Sequence, residues 1–172
     1  YHVMNRGRAG GMIFHEDFYY QTFLDTFGEA CLRFDCSVNA YCLMGNHYHI
    51  LIETLKANLS RIMRHINGVY TQRYNRLKRS DGPLFRGRFK AILVDHDGYL
   101  LQLSRYIHRN PIDMKSPLVT QLLDYYWSSY PSYVGKAKSV EWLAQDLTFG
   151  MLGHEDKHKG YANYVMAGLD EE

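Results

Sequence analysis

The sequence has little cysteine, no long apolar run and almost no net charge, and each absence narrows the class of protein. Its three cysteines, Cys31, Cys36 and Cys42, are odd in number and form no Cys-x-x-Cys pair. That pattern argues against a disulfide framework or a zinc finger, and it favours a reducing compartment. No stretch is apolar enough to cross a membrane, and no signal peptide is visible. The chain begins at Tyr1, inside a predicted strand, so we expect the natural N-terminus to lie upstream.

The net charge of +2 hides an uneven distribution of charge. Ten of the 20 lysines and arginines lie between Lys56 and Lys90, where Asp81 is the only acid. The rest of the chain carries the other ten cations and the other 17 acids. A basic block on an otherwise acidic protein indicates a polyanionic partner. The 15 tyrosines suit a surface that stacks on bases, although we expect most of them in the core.

With 172 residues, the chain suits one domain, or a domain with an appendage. Hydrophobic periodicity predicts strands over 1–6, 36–44, 47–54 and 91–95, and helices over 14–34, 59–77 and 97–108. The first six elements follow the ferredoxin-like or RRM-like α+β pattern, an antiparallel sheet with helices on one face. In the second strand, Val38, Ala40 and Cys42 are expected on one face.

The segment around Gly45-Asn46-His47-Tyr48-His49 is the most informative part of the chain. Gly45-Asn46 predicts a tight turn, so the third strand begins at the tip of a hairpin. Alternate strand residues share a face, which places His47 and His49 together, roughly 6–7 Å apart along the strand. Two imidazoles at that spacing can converge on one metal ion. The alternative is two polar side chains on the wet face of a half-buried strand.

The helix predicted over 97–108 has a polar, aromatic face beside its apolar one. Asn110-Pro111 is expected to end it. Its apolar stripe comprises Leu100, Leu101, Leu103 and Ile107. Its second face, at spacings of three and four, comprises Tyr99, Gln102, Tyr106 and Asn110.

Two segments of the basic block predict contacts with nucleic acid. The helix over 59–77 has a buried stripe, and its remaining faces carry cations of one sign, Arg61, Arg64, Arg73 and Arg76. A solvated helix surface is the alternative, but such surfaces usually mix signs. The segment 84–90 interleaves aromatic residues with Arg86, Arg88 and Lys90, a pattern that suits base stacking and phosphate neutralisation.

The composition changes after Pro111, which predicts a domain over 1–115 and a C-terminal arm over 116–172. The arm is rich in aromatic residues and looks packed but irregular. Short helices are predicted over 140–147 and 161–169.

Four stretches in this order resemble the HUH-type tyrosine transposases of small bacterial insertion sequences, and most closely the REP-associated tyrosine transposases. They are Tyr1-His2-Val3-Met4-Asn5-Arg6-Gly7, His47-Tyr48-His49, Leu84-Phe85-Arg86-Gly87-Arg88-Phe89-Lys90, and Ser104 to Ile112 with Tyr106, followed by Trp127-Ser128-Ser129-Tyr130. The resemblance covers residues 1 to about 135.

The resemblance implies a metal-dependent single-stranded DNA endonuclease. His47 and His49 would bind Mg²⁺ or Mn²⁺, with Asn110 as the third protein ligand. Tyr106 would attack a DNA phosphate and form a 5′-phosphotyrosine with a free 3′-hydroxyl. Rejoining would then need no ATP, because the covalent bond conserves the energy of the broken phosphodiester.

The same resemblance implies a partner and a setting. The DNA would be single-stranded with hairpin-forming ends, bound by the basic block. The protein would be bacterial, cytoplasmic and nucleoid-associated, with no membrane partner, and it would act as a monomer or homodimer. The arm is expected to pack across the site and regulate it.

Three alternatives remain open from the sequence. A non-catalytic RRM-like module would stack bases on Tyr41 and Tyr48. A rolling-circle replication initiator or relaxase uses the same histidine pair, but such enzymes often carry paired tyrosines or place the tyrosine before the histidines. A domesticated, inactive transposase is the third. Within the transposase hypothesis, Tyr99 is the second candidate nucleophile.

Overall fold

The computed structural model describes residues 1–95 and 97–167, and its organising element is a four-stranded antiparallel sheet. The strands are β1 His2–Arg6, β2 Cys36–Met44, β3 His47–Thr54 and β4 Lys90–Ile92, in the spatial order β2-β3-β1-β4. The helices are α1 Asp17–Phe34, α2 Leu59–Lys78, α3 Asp97–Asp113, α4 Tyr130–Tyr133, α5 Asp146–Leu152 and α6 Lys157–Ala167. The α+β class and the ferredoxin-like order of the first six elements are confirmed.

Helices α1 and α2 cover one face of the sheet. The apolar side chains of the central strand β3, Ile50 and Ile52, pack there against Phe23 of α1 and Ile66 of α2. Tyr48 is also fully buried in this layer, and its hydroxyl donates to Asn67 Oδ1 at 2.8 Å. Tyr48 is therefore not available to stack on a base, contrary to what the RRM-like alternative requires.

Helix α3 covers the other face of the sheet, and so lies in a separate layer from α1 and α2. Its Leu103 and Ile107 pack against Leu51 of β3 and Met44 of β2 in a second apolar cluster. Because side chains alternate along β3, the two histidines that share a face with Leu51 also point towards α3. The sheet is thus enclosed by helices on both sides.

A β-bulge divides strand β2 between the two layers. Val38 pairs with Ile52 and Ala40 with Leu51, so Asn39 is an extra residue on the β2 side. Val38 packs with α1 and α2, whereas Ala40 and Cys42 pack with α3. The prediction that Val38, Ala40 and Cys42 share a face is therefore wrong, because the bulge reverses the alternation after Val38.

The hairpin turn at Gly45-Asn46 is confirmed, and the segment after β1 holds it in place. The backbone carbonyl of Gly45 accepts hydrogen bonds from the amides of Ile13 and Phe14, at 2.9 and 3.1 Å. A Cβ on Gly45 would lie 2.4 Å from Cε of Met12. Glycine is needed here because another segment of the chain passes so close.

The C-terminal arm covers the outer edge of β2. The amide of Val38 donates to the carbonyl of Trp142, and the amide of Leu43 donates to the carbonyl of Trp127, at 3.1 and 2.8 Å. The edge of the sheet is thereby paired rather than exposed. The helix predicted over 140–147 is wrong, because this segment is extended against Val38 and α5 begins only at Asp146.

The last helix, α6, begins earlier than predicted, at Lys157. The end of the predicted span, beyond residue 167, lies outside the described residues. Tyr161 of α6 is fully buried, and its hydroxyl lies 2.7 Å from Ser104 Oγ and 2.5 Å from His108 Nδ1. On the other side of its ring, His108 Nε2 lies 2.6 Å from Ser129 Oγ. This buried polar network attaches α3 to the arm.

Helix α3 continues through Pro111 to Asp113, and so extends beyond the predicted end at Asn110-Pro111. Proline so close to a helix end removes only one intrahelical hydrogen bond. Arg109 compensates, because its guanidinium donates to both carboxylate oxygens of Asp113 at 2.9 Å and to the carbonyl of Val165 at 2.9 Å.

Two findings bear on the expectations from composition. Cys31, Cys36 and Cys42 carry free thiols. Within the described ranges, no helix combines the length and apolar character needed to cross a bilayer.

The buried network predicts a pH dependence of stability. Burial lowers the pKa of His108 to about 3, whereas a histidine in an unfolded chain titrates near 6.5. Below pH 6.5 the unfolded state therefore binds more protons, and the free energy of unfolding falls by up to about 1.4 kcal/mol per pH unit from this group. Urea unfolding between pH 7.5 and 4.5 measures the slope. His108→Gln should flatten it by about that amount, and equal slopes would contradict the assignment.

Candidate functional site

The candidate site is built on the two histidines at the start of β3. His47 pairs with Arg6 of β1 and Met44 of β2, so it lies in the middle of the sheet. His49 is two residues further and shares its face. The two rings have centroids 5.2 Å apart and planes at 90°. The expectation that His47 and His49 lie together is confirmed by this geometry.

The imidazole of His47 has a defined orientation. Its Nδ1 lies 2.7 Å from Asn46 Oδ1, and because an amide oxygen only accepts, His47 donates its Nδ1–H there. The Nε2 atom then keeps its lone pair. Burial lowers the pKa of His47, a side-chain hydrogen bond with Asn110 opposes that shift, and the charge of Arg6 adds to it. The lowered pKa keeps the ring neutral at pH 7, as a metal ligand must be.

The imidazole of His49 is more deeply buried, and a third histidine contacts it. His2 Nε2 on β1 lies 3.1 Å from His49 Nδ1, and the two ring centroids are 5.3 Å apart. Burial lowers the pKa of His49 to about 3, and the imidazoles of His47 and His2 add to the shift. His49 is therefore also neutral at physiological pH.

Tyr106 on α3 faces the same site. Its ring meets His49 edge-on at 5.7 Å and His2 at 6.0 Å between centroids. The tyrosine ring is 52% exposed, so its hydroxyl can be reached from solution. One helical turn later, Asn110 hydrogen-bonds with His47. The structure thus brings together Tyr106, Asn110 and both predicted histidines.

An open cavity of about 690 Å³ adjoins the histidines. The loop over 84–88 borders it, held to β1 by hydrogen bonds from the Arg86 amide to the Arg6 carbonyl (2.9 Å) and from the Asn5 amide to the Gly87 carbonyl (3.2 Å). The cavity is strongly cationic. Its lining comprises Met4, Asn5, Arg6, Asn46, His47, His49, Arg86, Gly87, Arg88, Lys90 and Met114.

The four predicted arginines of α2 lie elsewhere. Helix α2 packs on the opposite face of the sheet from the histidines, so Arg61, Arg64, Arg73 and Arg76 do not share the cavity with Arg86 and Arg88. Arg73 donates to Thr26 Oγ1 at 2.8 Å and to both carboxylate oxygens of Glu29 on α1. Arg61 lies over the ring of Phe34, 5.6 Å from its centroid. Part of this basic face therefore joins α1 to α2.

The site supplies donors that fit one divalent cation. Within residues 1–95 and 97–167, no three His, Cys, Asp or Glu side chains come close enough to hold a metal ion. A site here therefore needs the amide oxygen of Asn110 beside the imidazoles of His47 and His49. All three are neutral donors, and three protein ligands leave coordination positions open for a substrate.

Sequence reasoning missed three residues of this site. His2, Arg6 and Asn46 contact the predicted ligands, yet none belongs to a motif in which spacing alone signals a function. The ferredoxin-like topology supplies a signal for His2, because it places β1 beside β3. The arm, in the part of the chain described, does not line the cavity, since its residues pack on α3 and on the edge of β2. The expectation that it packs across the site is not met.

The comparisons with known proteins follow from this geometry. The sequence model of the family described as "Transposase IS200 like" matches residues 1–110, so the match extends through Tyr106 and Asn110. No curated protein sequence matches the chain. A solved structure of a REP-associated tyrosine transposase bound to a REP hairpin is similar, with a TM-score of 0.63 at 16% identity over 86% of each chain. A putative transposase from Deinococcus radiodurans R1 has a TM-score of 0.46 at 13% identity, over 63% of this chain and 87% of the other.

The position of Tyr106 predicts that Tyr106→Phe leaves the fold intact. Removing the hydroxyl of a half-exposed ring should change the free energy of unfolding by less than about 0.5 kcal/mol. Tyr161→Phe is the contrasting variant, because its buried hydroxyl contacts both Ser104 and His108, and its loss should cost about 1–3 kcal/mol. Urea unfolding measures both. A large loss for Tyr106→Phe would show that the tyrosine is structural.

Proposed function

The chain belongs to the IS200-like transposase family, as the sequence motifs predicted, and from this premise we propose that it is a metal-dependent single-stranded DNA transposase or endonuclease. Tyr106 is the proposed nucleophile. Residues 1–115 form the proposed catalytic domain, and 116–172 form an arm that supports it.

One observation carries the proposal. The Tyr106 ring meets the His49 ring edge-on at 5.7 Å, although 56 residues separate them in sequence. A tyrosine on a core helix needs no such neighbour, whereas a nucleophile must lie beside the group that activates its target. All the proposed groups come from the same chain, so the proposed reaction requires no second copy.

We assign the divalent ion to His47, His49 and Asn110. The choice is supported by the tautomer of His47, whose Nδ1–H is donated to Asn46 and whose Nε2 lone pair remains available. When bound there, Mg²⁺ or Mn²⁺ would polarise the scissile phosphate. The chain's own contribution is to keep both imidazoles neutral by burial and to place Asn110 one helical turn from the nucleophile.

The proposed covalent step balances as follows. The Oη atom of Tyr106 attacks the phosphorus, an Oη–P bond forms, and the P–O3′ bond breaks. The phenolic proton is lost and the departing O3′ gains one, so the products are a 5′-phosphotyrosine and a free 3′-hydroxyl. The reverse reaction, with a different 3′-hydroxyl, joins strands without an external energy source.

The proposed substrate is single-stranded DNA with hairpin-forming ends. Two findings support it, the cationic cavity beside the histidines and the REP hairpin bound by the structurally similar transposase. Arg86, Arg88 and Lys90 would contact phosphates next to the scissile bond. Arg61, Arg64, Arg73 and Arg76 would contact DNA only where it continues around the sheet. Acting on bacterial DNA implies association with the nucleoid.

The deciding experiment is covalent trapping. The protein is incubated with a pool of hairpin oligonucleotides carrying randomised single-stranded flanks, in Mg²⁺ or Mn²⁺. We expect a protein–DNA adduct that survives denaturant, disappears with EDTA and is absent in Tyr106→Phe. Denaturing gels with 5′- and 3′-labelled DNA determine which end is attached.

The matched control is Tyr99→Phe, on the same helix two turns earlier. It should retain the adduct. An adduct that survives in Tyr106→Phe and is lost in Tyr99→Phe would reassign the nucleophile. Tight DNA binding without an adduct, from folded wild-type protein, would instead support a non-catalytic binding module.

The separation of the two basic regions yields a further prediction. Replacing Arg86 and Arg88 together by Gln should weaken binding of hairpin DNA more than the same change at Arg61 and Arg64. The salt dependence should also fall by about 0.7 in the log–log slope for each lost phosphate contact on a single strand. Fluorescence anisotropy from 50 to 200 mM salt measures both. Equal losses from the two double variants would place the DNA on α2 as well.

A further inference from the structure

His2 has an unusual position for a residue outside the predicted motifs. It is 3% exposed on β1, and its ring contacts both His49 and Tyr106, with centroids 5.3 and 6.0 Å away. Its Nε2 lies 3.1 Å from His49 Nδ1. His2 therefore touches a proposed metal ligand and the proposed nucleophile at once.

The short distance between the two nitrogens constrains the protons. A contact at 3.1 Å between Nε2 of His2 and Nδ1 of His49 is a hydrogen bond only if one proton lies between them. If His2 donates it, the neutral His49 ring carries its own proton on Nε2 and has no lone pair for a cation. If His49 donates its Nδ1–H, the Nε2 lone pair of His49 is free.

The second arrangement matches the other histidine. His47 donates its Nδ1–H to Asn46, which leaves Nε2 as its free nitrogen. With His2 as the acceptor, both imidazoles present Nε2. A metal-ligating histidine is commonly held in this way, by an acceptor on its other ring nitrogen.

We propose that His2 is a positioning residue that accepts the Nδ1–H of His49 and so directs the Nε2 lone pair of His49 into the site. This inference rests on the proposed function, in which His49 binds a divalent cation. His2 itself is not the third ligand, because its Nε2 already faces His49 and no His, Cys, Asp or Glu trio in the described residues can hold a metal ion.

Two substitutions separate positioning from packing. His2→Leu fills the space but cannot accept a hydrogen bond, whereas the side-chain oxygen of His2→Gln can. We expect Mn²⁺ affinity, measured by calorimetry on the full chain, to fall by about 10- to 100-fold in His2→Leu. His2→Gln should stay within about threefold of wild type. Urea unfolding verifies that each variant is folded.

The tautomer of His49 provides a readout independent of metal and of activity. In ¹⁵N-labelled, metal-free wild-type protein, the nitrogen shifts of His49 should show a proton on Nδ1. In His2→Leu the proton should move, wholly or in part, to Nε2, and in His2→Gln it should stay on Nδ1. A wild-type His49 protonated on Nε2 would overturn the inference, even if no variant could be folded.

The outcomes distinguish this inference from the proposed function. If wild type binds Mn²⁺ and His2→Leu binds it equally well, the positioning role is wrong while the proposed function stands. If wild type binds no Mn²⁺ and forms no adduct with DNA, the proposed function fails, and the role of His2 fails with it.

Discussion

The alternation of side chains along β3 is the constraint on which the rest of the structure depends. This strand lies between β1 and β2, so it has neighbours on both edges and helices on both faces. Ile50 and Ile52 enter the layer of α1 and α2, whereas His47 and His49 enter the layer of α3. One register thereby determines the apolar core and the polar site together. A slip of one residue would exchange them.

The arm contributes to the site indirectly, through the helix that carries Tyr106. Tyr161 and Ser129 hold the His108 ring from both sides, and Arg109 bonds the carbonyl of Val165. These contacts lie on the side of α3 that faces away from the histidines of β3. The arm therefore positions the helix from behind and leaves the cavity beside β3 open. Its strand-like pairing with β2 serves the same end, since it joins the arm to the sheet as well as to α3.

Much of this arrangement was predictable, because it depends on local periodicity. The alternation in 47–54 and the turn at Gly45-Asn46 predicted the hairpin, and the three-and-four spacing predicted that Tyr106 and Asn110 share a face. The bulge at Asn39 was not predictable, since no glycine or proline there indicates it. The segment around Trp142 was predicted as helix because its pairing with Val38 is a tertiary contact. The neighbourhood of His2 required the strand order, and the acid that pairs with Arg73 lies on a different helix.

The bulge at Asn39 makes chain length, rather than residue identity, decide how β2 is used. Before it, Val38 faces one layer; after it, Ala40, Cys42 and Met44 face the other, in register with Leu51, His49 and His47. Tyr133 of the arm bonds the carbonyl of Asn39 at 2.5 Å, so the extra residue also receives a contact from the arm. Deleting one residue here would turn the floor beneath the histidines to the opposite side of the sheet, whereas removing two would preserve its phase. Natural variation in length at this point of β2 should therefore come in even steps.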